Sequence, residues 1–222
     1  MRRILTPELL DFLPANDPAA IVSRRDLARI NLVMRQPAIM ARALAGFPVP
    51  ATLADLGGGD GRFLLAVARR MARRWPRVRA VIADRQDIVG ADTRAGFAEL
   101  GWTCEVAQGD VFETLPRLGA DIAIANLFLH HLDAAALAAF LEMVAAQVAG
   151  FAACEPRRSA FALAGAHLVG LLGANAVTRH DAVASVRAGF TGREISASWP
   201  PGWELREQAV FPFTHLFVAH AV

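Results

Sequence analysis

Short apolar runs alternate with longer amphipathic segments from Pro48 onwards. Five of these runs have the length of strands and lie at 52–56, 79–83, 103–107, 121–125 and 150–154. Apolar runs of this length are typical of parallel strands buried on both faces, and the segments between them fit covering helices. Two further segments, 203–210 and 214–221, are strand-like and close enough to pair antiparallel across the intervening turn. The pattern predicts an α/β fold with a doubly wound, mostly parallel sheet.

The periodicity predicts helices over 62–75, 86–100, 134–148, 160–172 and 181–188. Residues 1–48 show no strand alternation, and Pro14, Pro18 and Pro37 separate short helical segments at 7–13, 19–34 and 37–44. We therefore expect a helical N-terminal cap over 1–48 and one α/β domain over 49–222.

A glycine-rich loop, Asp-Leu-Gly-Gly-Gly-Asp-Gly at 55–61, lies between the first predicted strand and a helix. Its acid at Asp55 ends the strand, and three alternating glycines allow a sharp turn and close approach of a ligand; these are Gly57, Gly59 and Gly61. A loop in this context is more specific than an isolated glycine pattern.

The charges of this loop distinguish between cofactors. A dinucleotide would place its pyrophosphate at the helix N-terminus, where Asp60 would repel it, and Arg62 stands where the third glycine of that fingerprint belongs. S-adenosylmethionine carries an ammonium and a sulfonium and no phosphate. The acidic loop therefore favours S-adenosylmethionine as the cofactor.

Polar residues follow the next predicted strands at the same edge of the sheet. Asp84 closes the second strand, where an acid can accept hydrogen bonds from ribose hydroxyls, although it could also cap the following helix. Asp110 ends the third strand, where it could accept from an adenine amine or be an ordinary turn acid. Asn126 ends the fourth strand and completes the predicted cofactor-binding set.

The loop at 55–61, Asp84, Gly109-Asp110 and the segment Asn-Leu-Phe-Leu-His-His-Leu at 126–132 resemble the successive motifs of class I S-adenosylmethionine-dependent methyltransferases. The His-His-Leu ending resembles their quinone-biosynthesis and natural-product subgroup. The resemblance covers about 49–155 and the final strand pair, and implies a seven-stranded sheet with an antiparallel last strand. It implies that Asp55 and the glycines hold the methionine moiety, Asp84 the ribose and Asp110 the adenine. Residues 1–48 and 156–200 lie outside the motifs, and we expect 156–200 to form an insert or lid at the acceptor pocket.

Three residues are candidates for catalysis. Methyl transfer from a sulfonium is an in-line displacement that requires alignment and exclusion of water, and we expect no metal. An oxygen acceptor gains from a general base, and His130 and His131 follow the fourth strand. Glu155 follows the fifth strand, so the sheet edge could bring it to a histidine as its orienting partner. Either histidine could instead pack against or cap the next helix.

Composition narrows the class of protein. The chain has 222 residues, 55% of them hydrophobic, and a formal net charge of +2. Its densest run of arginines lies at 69–79. The first four of them have the spacing of a solvated helix face, and aromatic residues are nearly absent from the run, so we expect no nucleic-acid partner. Cys104 and Cys154 have no metal-binding spacing and indicate reduced thiols in a cytoplasmic protein. The apolar stretch at 161–177 is too short for a membrane span, and no apolar signal region follows the N-terminus.

The sequence as a whole predicts transfer of a methyl group from S-adenosylmethionine to a hydroxyl or carbon of a small apolar or aromatic metabolite. A nucleic-acid or protein methyltransferase is the first alternative, but the Asn/Asp-Pro-Pro-aromatic segment used for base amines does not follow the fourth strand. The second alternative is a non-catalytic domain that binds the cofactor and regulates a partner. A homodimer built through the cap or the apolar helix remains open.

Overall fold

The computed structural model describes all 222 residues, and its strands form one seven-stranded sheet in the order β3-β2-β1-β4-β5-β7-β6. The strands are β1 (Thr52–Leu56), β2 (Arg79–Asp84), β3 (Thr103–Gln108), β4 (Ile122–Asn126), β5 (Gly150–Pro156), β6 (Trp203–Val210) and β7 (Thr214–Ala221). Neighbouring strands from β3 to β5 are parallel, and β7 runs antiparallel to both β5 and β6. The predicted fold class, including the antiparallel last strand, is confirmed.

Eight α-helices accompany the sheet. They are α1 (Pro18–Val33), α2 (Gln36–Leu44), α3 (Arg62–Met71), α4 (Ala91–Glu99), α5 (Val111–Thr114), α6 (Ala134–Gln147), α7 (Ala160–Leu168) and α8 (Ala176–Ala188). None of them is long and apolar enough to cross a bilayer.

The sheet has a hydrophobic core on each face. One core joins α2 and α3 to the sheet and contains Met40, Leu44 and Trp75. The other joins α6 to the sheet and contains Phe140 and Phe151. β1 is buried at all five positions, as a central parallel strand between two helical layers must be. The last helix of the predicted cap, α2, is thus part of the main core.

Several helix boundaries differ from the predicted ones because side chains satisfy local backbone groups. The helix predicted over 86–100 begins at Ala91, since Asp84 and Asp87 accept the N–H groups of Gln86 and Val89 and hold this stretch in turns. The helix predicted over 181–188 begins earlier, at Ala176, because Asn175 caps it. Residues 7–13 form only a short 3-10 helix, Leu9–Phe12. The helix predicted over 160–172 ends at Leu168 and continues as a 3-10 turn.

Candidate active site

The glycine-rich loop lies at the carboxyl ends of the central strands, where open α/β sheets bind their ligands. The N–H groups of Gly57 and Gly58 both donate to the carbonyl of Ala83, 2.8 and 3.3 Å away, and so join the loop to the end of β2. This arrangement brings the end of β1 against that of β2.

Two glycines of the loop are required for different reasons. Gly57 has φ +74°, and a Cβ there would overlap the ring of Phe128. Gly59 also has a left-handed φ of +55°, but a Cβ there would meet no atom within 4 Å. The first glycine therefore allows internal packing, whereas the second leaves the backbone open to a ligand.

Asp55 is a buried acid without a hydrogen-bond partner. Its side chain is 1% exposed, and neither carboxyl oxygen has a partner in the protein. Burial, followed by the negative charges of Asp84 and Asp60, raises the pKa of Asp55 to about 8. A ligand cation beside these acids would offset the repulsion that keeps Asp55 protonated.

Asp84 holds the glycine loop in place. Its Oδ2 accepts the Gly59 N–H at 2.9 Å, and its Oδ1 accepts the Gln86 N–H at 3.0 Å. Its carboxylate thus lies at the loop, next to the open face at Gly59. The ribose-binding role remains a prediction.

Asp110 and Asn126 end the strands on either side of the β1–β2 pair. Asp110 caps α5 by accepting the Phe112 N–H at 3.0 Å, and its other oxygen lies 3.1 Å from the Arg85 guanidinium. The Phe112 hydrogen bond, together with Arg85, keeps the pKa of Asp110 below its usual value. The Oδ1 of Asn126 is buried and has no partner, so it is available to a ligand at the end of β4.

His130 and Glu155 meet, as predicted, at the ends of neighbouring strands. The Nδ1 of His130 lies 2.7 Å from Glu155 Oε2, and both side chains are buried. Glu155 also accepts the N–H groups of Phe128 and Leu129 at 2.9 and 2.8 Å. The carboxylate therefore fixes both the histidine ring and the loop that carries it.

Glu8 is a residue of this site that the sequence analysis missed. Its Oε1 lies 3.1 Å from the Nε2 of His130, and it also accepts the hydroxyl of Ser185 on α8. Burial disfavours the charged ring of His130, but the hydrogen bonds that the ring donates to Glu155 and Glu8 outweigh burial and raise the pKa of His130 to about 9. Burial likewise opposes ionisation of Glu8, yet its bond with His130 lowers its pKa. Glu8 and His130 are 122 positions apart, and no local pattern could have linked them.

His131 is more exposed than His130, with 29% of its side chain accessible, and its Nδ1 lies 3.3 Å from Asp11. The possible ligand atoms of Glu8, His130 and His131 lie within 4.8 Å of one another. The pKa of about 9 for His130 favours a protonated ring, whose Nε2 hydrogen would have to leave before a metal ion could bind there.

A cleft of about 470 Å³ opens beside the glycine loop. One wall comes from α1 and carries Arg24 and Arg25, and the opposite wall carries Asp60, Arg62 and Ile88. Its volume is within the range of small-molecule sites. The cap therefore contributes charged residues next to the predicted cofactor site.

Comparisons with known proteins identify the family and the fold of the chain. A family model described as an O-methyltransferase domain matches residues 16–151. Uncharacterized methyltransferases of Mycobacterium tuberculosis and Mycobacterium bovis are 36% identical over 80 residues, which are 36% of this chain and 36% of each relative. The matched segment thus spans about a third of these curated relatives.

Solved structures share the fold at low sequence identity. The plantazolicin methyltransferase, solved in complex with SAH, has a TM-score of 0.67 and 11% identity, covering 93% of this chain and 92% of that one. The mitomycin 7-O-methyltransferase has a TM-score of 0.60 and 20% identity, covering 93% of this chain and 59% of its own. An O-methyltransferase family protein from Burkholderia thailandensis has a TM-score of 0.59 and 18% identity, with 94% and 64% covered.

Proposed function

Because the chain belongs to the O-methyltransferase domain family, we propose that it transfers the methyl group of S-adenosylmethionine to a small-molecule acceptor. The observation that carries this proposal is the acidic edge of the sheet, where Asp55 and Asp84 lie at the open glycine loop and Asp110 ends the next strand. A surface of carboxylates suits a ligand with an ammonium and a sulfonium and disfavours a phosphate. The buried, unpartnered carboxyl of Asp55 gives this site an acid that a bound cation would stabilise.

The residues fit the cofactor as follows. Asp55 and the backbone at Gly59 would hold the methionine moiety, Asp84 would accept hydrogen bonds from the ribose hydroxyls, and Asp110 would accept one from the adenine amine. Asn126, whose Oδ1 is buried without a partner, contributes an acceptor at the end of β4. When bound, S-adenosylmethionine supplies an electrophilic methyl group.

The acceptor is a small apolar or aromatic metabolite that carries a hydroxyl group or an activated carbon. The mitomycin 7-O-methyltransferase and the plantazolicin methyltransferase, which share the fold, are named for mitomycin and for plantazolicin. The segment 156–200, which we assign to the acceptor side as an insert, contains the exposed apolar side chains Phe161 and Leu168 on α7. An apolar wall of this kind suits such an acceptor.

We assign the general base to His130, positioned by Glu155 through the Nδ1 contact of 2.7 Å. The proton of the acceptor hydroxyl would pass to Nε2, and Glu155 would stabilise the imidazolium that forms, as in other carboxylate–histidine pairs. His131 is the alternative base, since its ring is partly open to solvent. Both roles are proposals.

We also propose that nucleic acid is not an acceptor. Arg69 and Arg70 are exposed on α3, Arg73 and Arg74 are exposed in the turn that follows it, and the large apolar residues of the helix face the core. The free thiols Cys104 and Cys154 favour a cytoplasmic location. We further propose that residues 1–48 form a cap on the domain at 49–222, and that the chain forms a homodimer.

Calorimetry with S-adenosylmethionine and with S-adenosylhomocysteine tests the cofactor assignment. We expect Asp84→Asn to weaken binding at least about ten-fold, because it loses charge-assisted hydrogen bonds. Asp87→Asn is the matched control, since Asp87 is 44% exposed and pairs with Arg94 on the outside, and we expect wild-type affinity. Failure of the wild type to bind either compound, or equal affinity of Asp84→Asn, would contradict the proposal.

Turnover requires a separate measurement. We expect methyl-labelled S-adenosylmethionine to transfer its label to a small-molecule fraction of a cell extract. A cofactor-binding regulator would bind S-adenosylmethionine in calorimetry but label nothing. Label recovered only in protein or nucleic acid would support the alternative acceptors.

A further inference from the structure

The segment from Leu5 to Asn16, here called the strap, crosses the face of the site that carries His130. Its two ends are attached to the body of the protein. On one side Arg3 donates to the carbonyls of Ala188 and Leu132 at 2.7 and 2.8 Å. On the other side Asp17 caps α1. The strap is therefore a short span between two fixed points.

The middle of the strap makes polar contacts. The N–H groups of Leu9 and Leu10 donate to the carboxylate of Asp181 on α8 at 2.8 and 3.0 Å. Glu8 lies between the Nε2 of His130 and the hydroxyl of Ser185. The strap thus places a carboxylate at the ring nitrogen that an acceptor would have to reach.

Apolar burial contributes little to holding the strap. No residue from Leu5 to Asn16 is buried, and Leu9 and Phe12 are 45% and 74% exposed. Segments with few buried apolar contacts open at low free energy, and active-site lids are drawn from this class. The strap can therefore leave the site while the two cores stay intact.

We propose that the strap is a displaceable cover of the acceptor site and that Glu8 is a positioning residue, which occupies the Nε2 of His130 until the oxygen of an acceptor replaces it. This inference rests on the proposed function for the identity of the acceptor oxygen. The geometry that carries it is the Glu8–His130 contact on an otherwise unburied segment.

The charged groups around His130 determine how displacement of the strap changes the protonation of its ring. Glu155 of β5 faces Nδ1, Glu8 of the strap faces Nε2, and the adjacent His131 pairs with Asp11. Two residues of α8 bind the strap: Asp181 accepts backbone N–H groups of the strap, and the hydroxyl of Ser185 donates to Glu8. Arg3 donates to the carbonyl of His130 at 3.3 Å. With the strap closed, His130 has a carboxylate at each nitrogen and keeps two ring protons. Removal of Glu8 leaves one carboxylate, so the ring releases its Nε2 proton to solvent more readily.

The neutral Nε2 can then act in the reaction. The acceptor oxygen forms a bond to the methyl carbon, the bond from that carbon to sulfur breaks, and its electron pair stays on sulfur. The acceptor proton passes to Nε2, so the positive charge moves from the sulfonium to the imidazolium beside Glu155. Opening of the strap therefore both uncovers the base and makes it competent.

Hydrogen exchange of the full chain tests whether the strap is displaceable. In the free protein we expect the amides of Leu9 and Leu10 to be at least about a hundred-fold less protected than those of β4. We expect Glu8→Ala to speed their exchange about ten-fold further, while β4 is unchanged. Thr6→Ala, which changes an exposed side chain of the same strap, should leave both amides at the wild-type rate. Strap amides as protected as β4, or unaffected by Glu8→Ala, would overturn the proposal.

Nitrogen-15 NMR of the His130 ring and binding of 4-nitrophenol test the competition. In Glu8→Ala we expect His130 to titrate at least about one pH unit lower than in the wild type, since it has lost a hydrogen-bonded carboxylate. We expect 4-nitrophenol to bind the variant at least about ten-fold more tightly than the wild type. An unchanged titration or no gain in 4-nitrophenol affinity would count against Glu8 as the competing group. If the wild-type protein does not bind the cofactor, that result contradicts the proposed function. The exchange and titration results would still test whether the strap opens and whether Glu8 holds the His130 ring.

Discussion

At the scale of single residues, the site contains an acid, Asp55, and a histidine, His130, whose surroundings raise their pKa values. Asp55 is enclosed among other acids without any partner, and His130 is enclosed between two carboxylates. Perturbed groups of this kind are concentrated at functional sites. Asp55 was predicted from its place before the glycines, whereas its lack of partners depends on which groups the neighbouring elements bring to it.

The raised pKa of Asp55 predicts how the free energy of unfolding depends on pH. Its folded pKa of about 8 lies above its ordinary value of 3.8, so its stabilising contribution is fully present below the ordinary value, decreases as the pH rises between the two values and is gone above about pH 8. Asparagine cannot ionise, so we expect Asp55→Asn to keep at pH 9 stability that the wild-type protein loses. Urea unfolding at pH 6 and pH 9 measures this, with Asp87→Asn as the control. The same loss of stability between these pH values in Asp55→Asn would disprove the effect.

The same residue links cofactor binding to pH. A bound cation lowers the pKa of Asp55, so binding should release a proton near neutral pH and become tighter as the pH rises towards 8. We expect Asp55→Asn to weaken cofactor binding about ten-fold or more and to abolish this proton release. Calorimetry in buffers of different ionisation enthalpy measures both. Equal proton release by wild type and variant would contradict the assignment of Asp55.

At the scale of elements, the glycine loop joins β1 to α3 and packs against the loop that follows β4. Gly57 lies against Phe128, and Phe128 precedes the short 3-10 helix that carries His130. The cofactor loop and the histidine loop are therefore in direct contact. Local sequence identified both loops, but only the sheet order placed them beside each other.

Three glycine-to-alanine variants separate packing from ligand access. We expect Gly57→Ala to lose about 2–4 kcal/mol, because its positive φ and its overlap with Phe128 both cost free energy. Gly59→Ala should lose only about 1 kcal/mol but should bind cofactor much more weakly, since its open face is where the ligand approaches. Gly119→Ala, at φ +58° with no atom near its Cβ, is the control for backbone strain. Wild-type cofactor affinity in Gly59→Ala would show that the ligand does not approach there.

At the scale of the whole molecule, distant parts of the chain meet on one side of the sheet. Asp26 of α1 is 3% exposed and accepts the Asn175 N–H at 3.0 Å and the Thr178 hydroxyl at 3.3 Å. The Thr178 hydroxyl oxygen also lies 2.9 Å from the hydroxyl of Ser23. The cap and the segment 156–200 are thus joined by a buried polar network, next to the strap.

The buried network around Asp26 predicts a loss of stability on substitution, and the exposed Arg29 provides the control. We expect Asp26→Ala to destabilise the protein by about 1–3 kcal/mol, because it leaves buried donors of α8 unsatisfied. Arg29 pairs with the same Asp26 at 3.2 Å but is 67% exposed, so Arg29→Ala should cost less than about 0.5 kcal/mol. Denaturant unfolding measures both. Equal losses would mean that the buried bonds do not join α1 to α8.

The sequence by itself determined the features that depend on neighbouring residues. Apolar runs placed all seven strands to within two residues at each end, and the glycine-acid pattern identified the predicted cofactor loop, because strand burial and turn geometry are local properties. Helix starts were less accurate where a side chain accepts a local backbone N–H, as Asp87 does in the turn before α4 and Asn175 does at the start of α8. Only the tertiary structure decided that Asp84 holds Gly59, that Asp26 joins the cap to α8, and that Glu8 meets His130. Those contacts link residues from 25 to 152 positions apart, and their formation depends on how whole elements pack around the sheet.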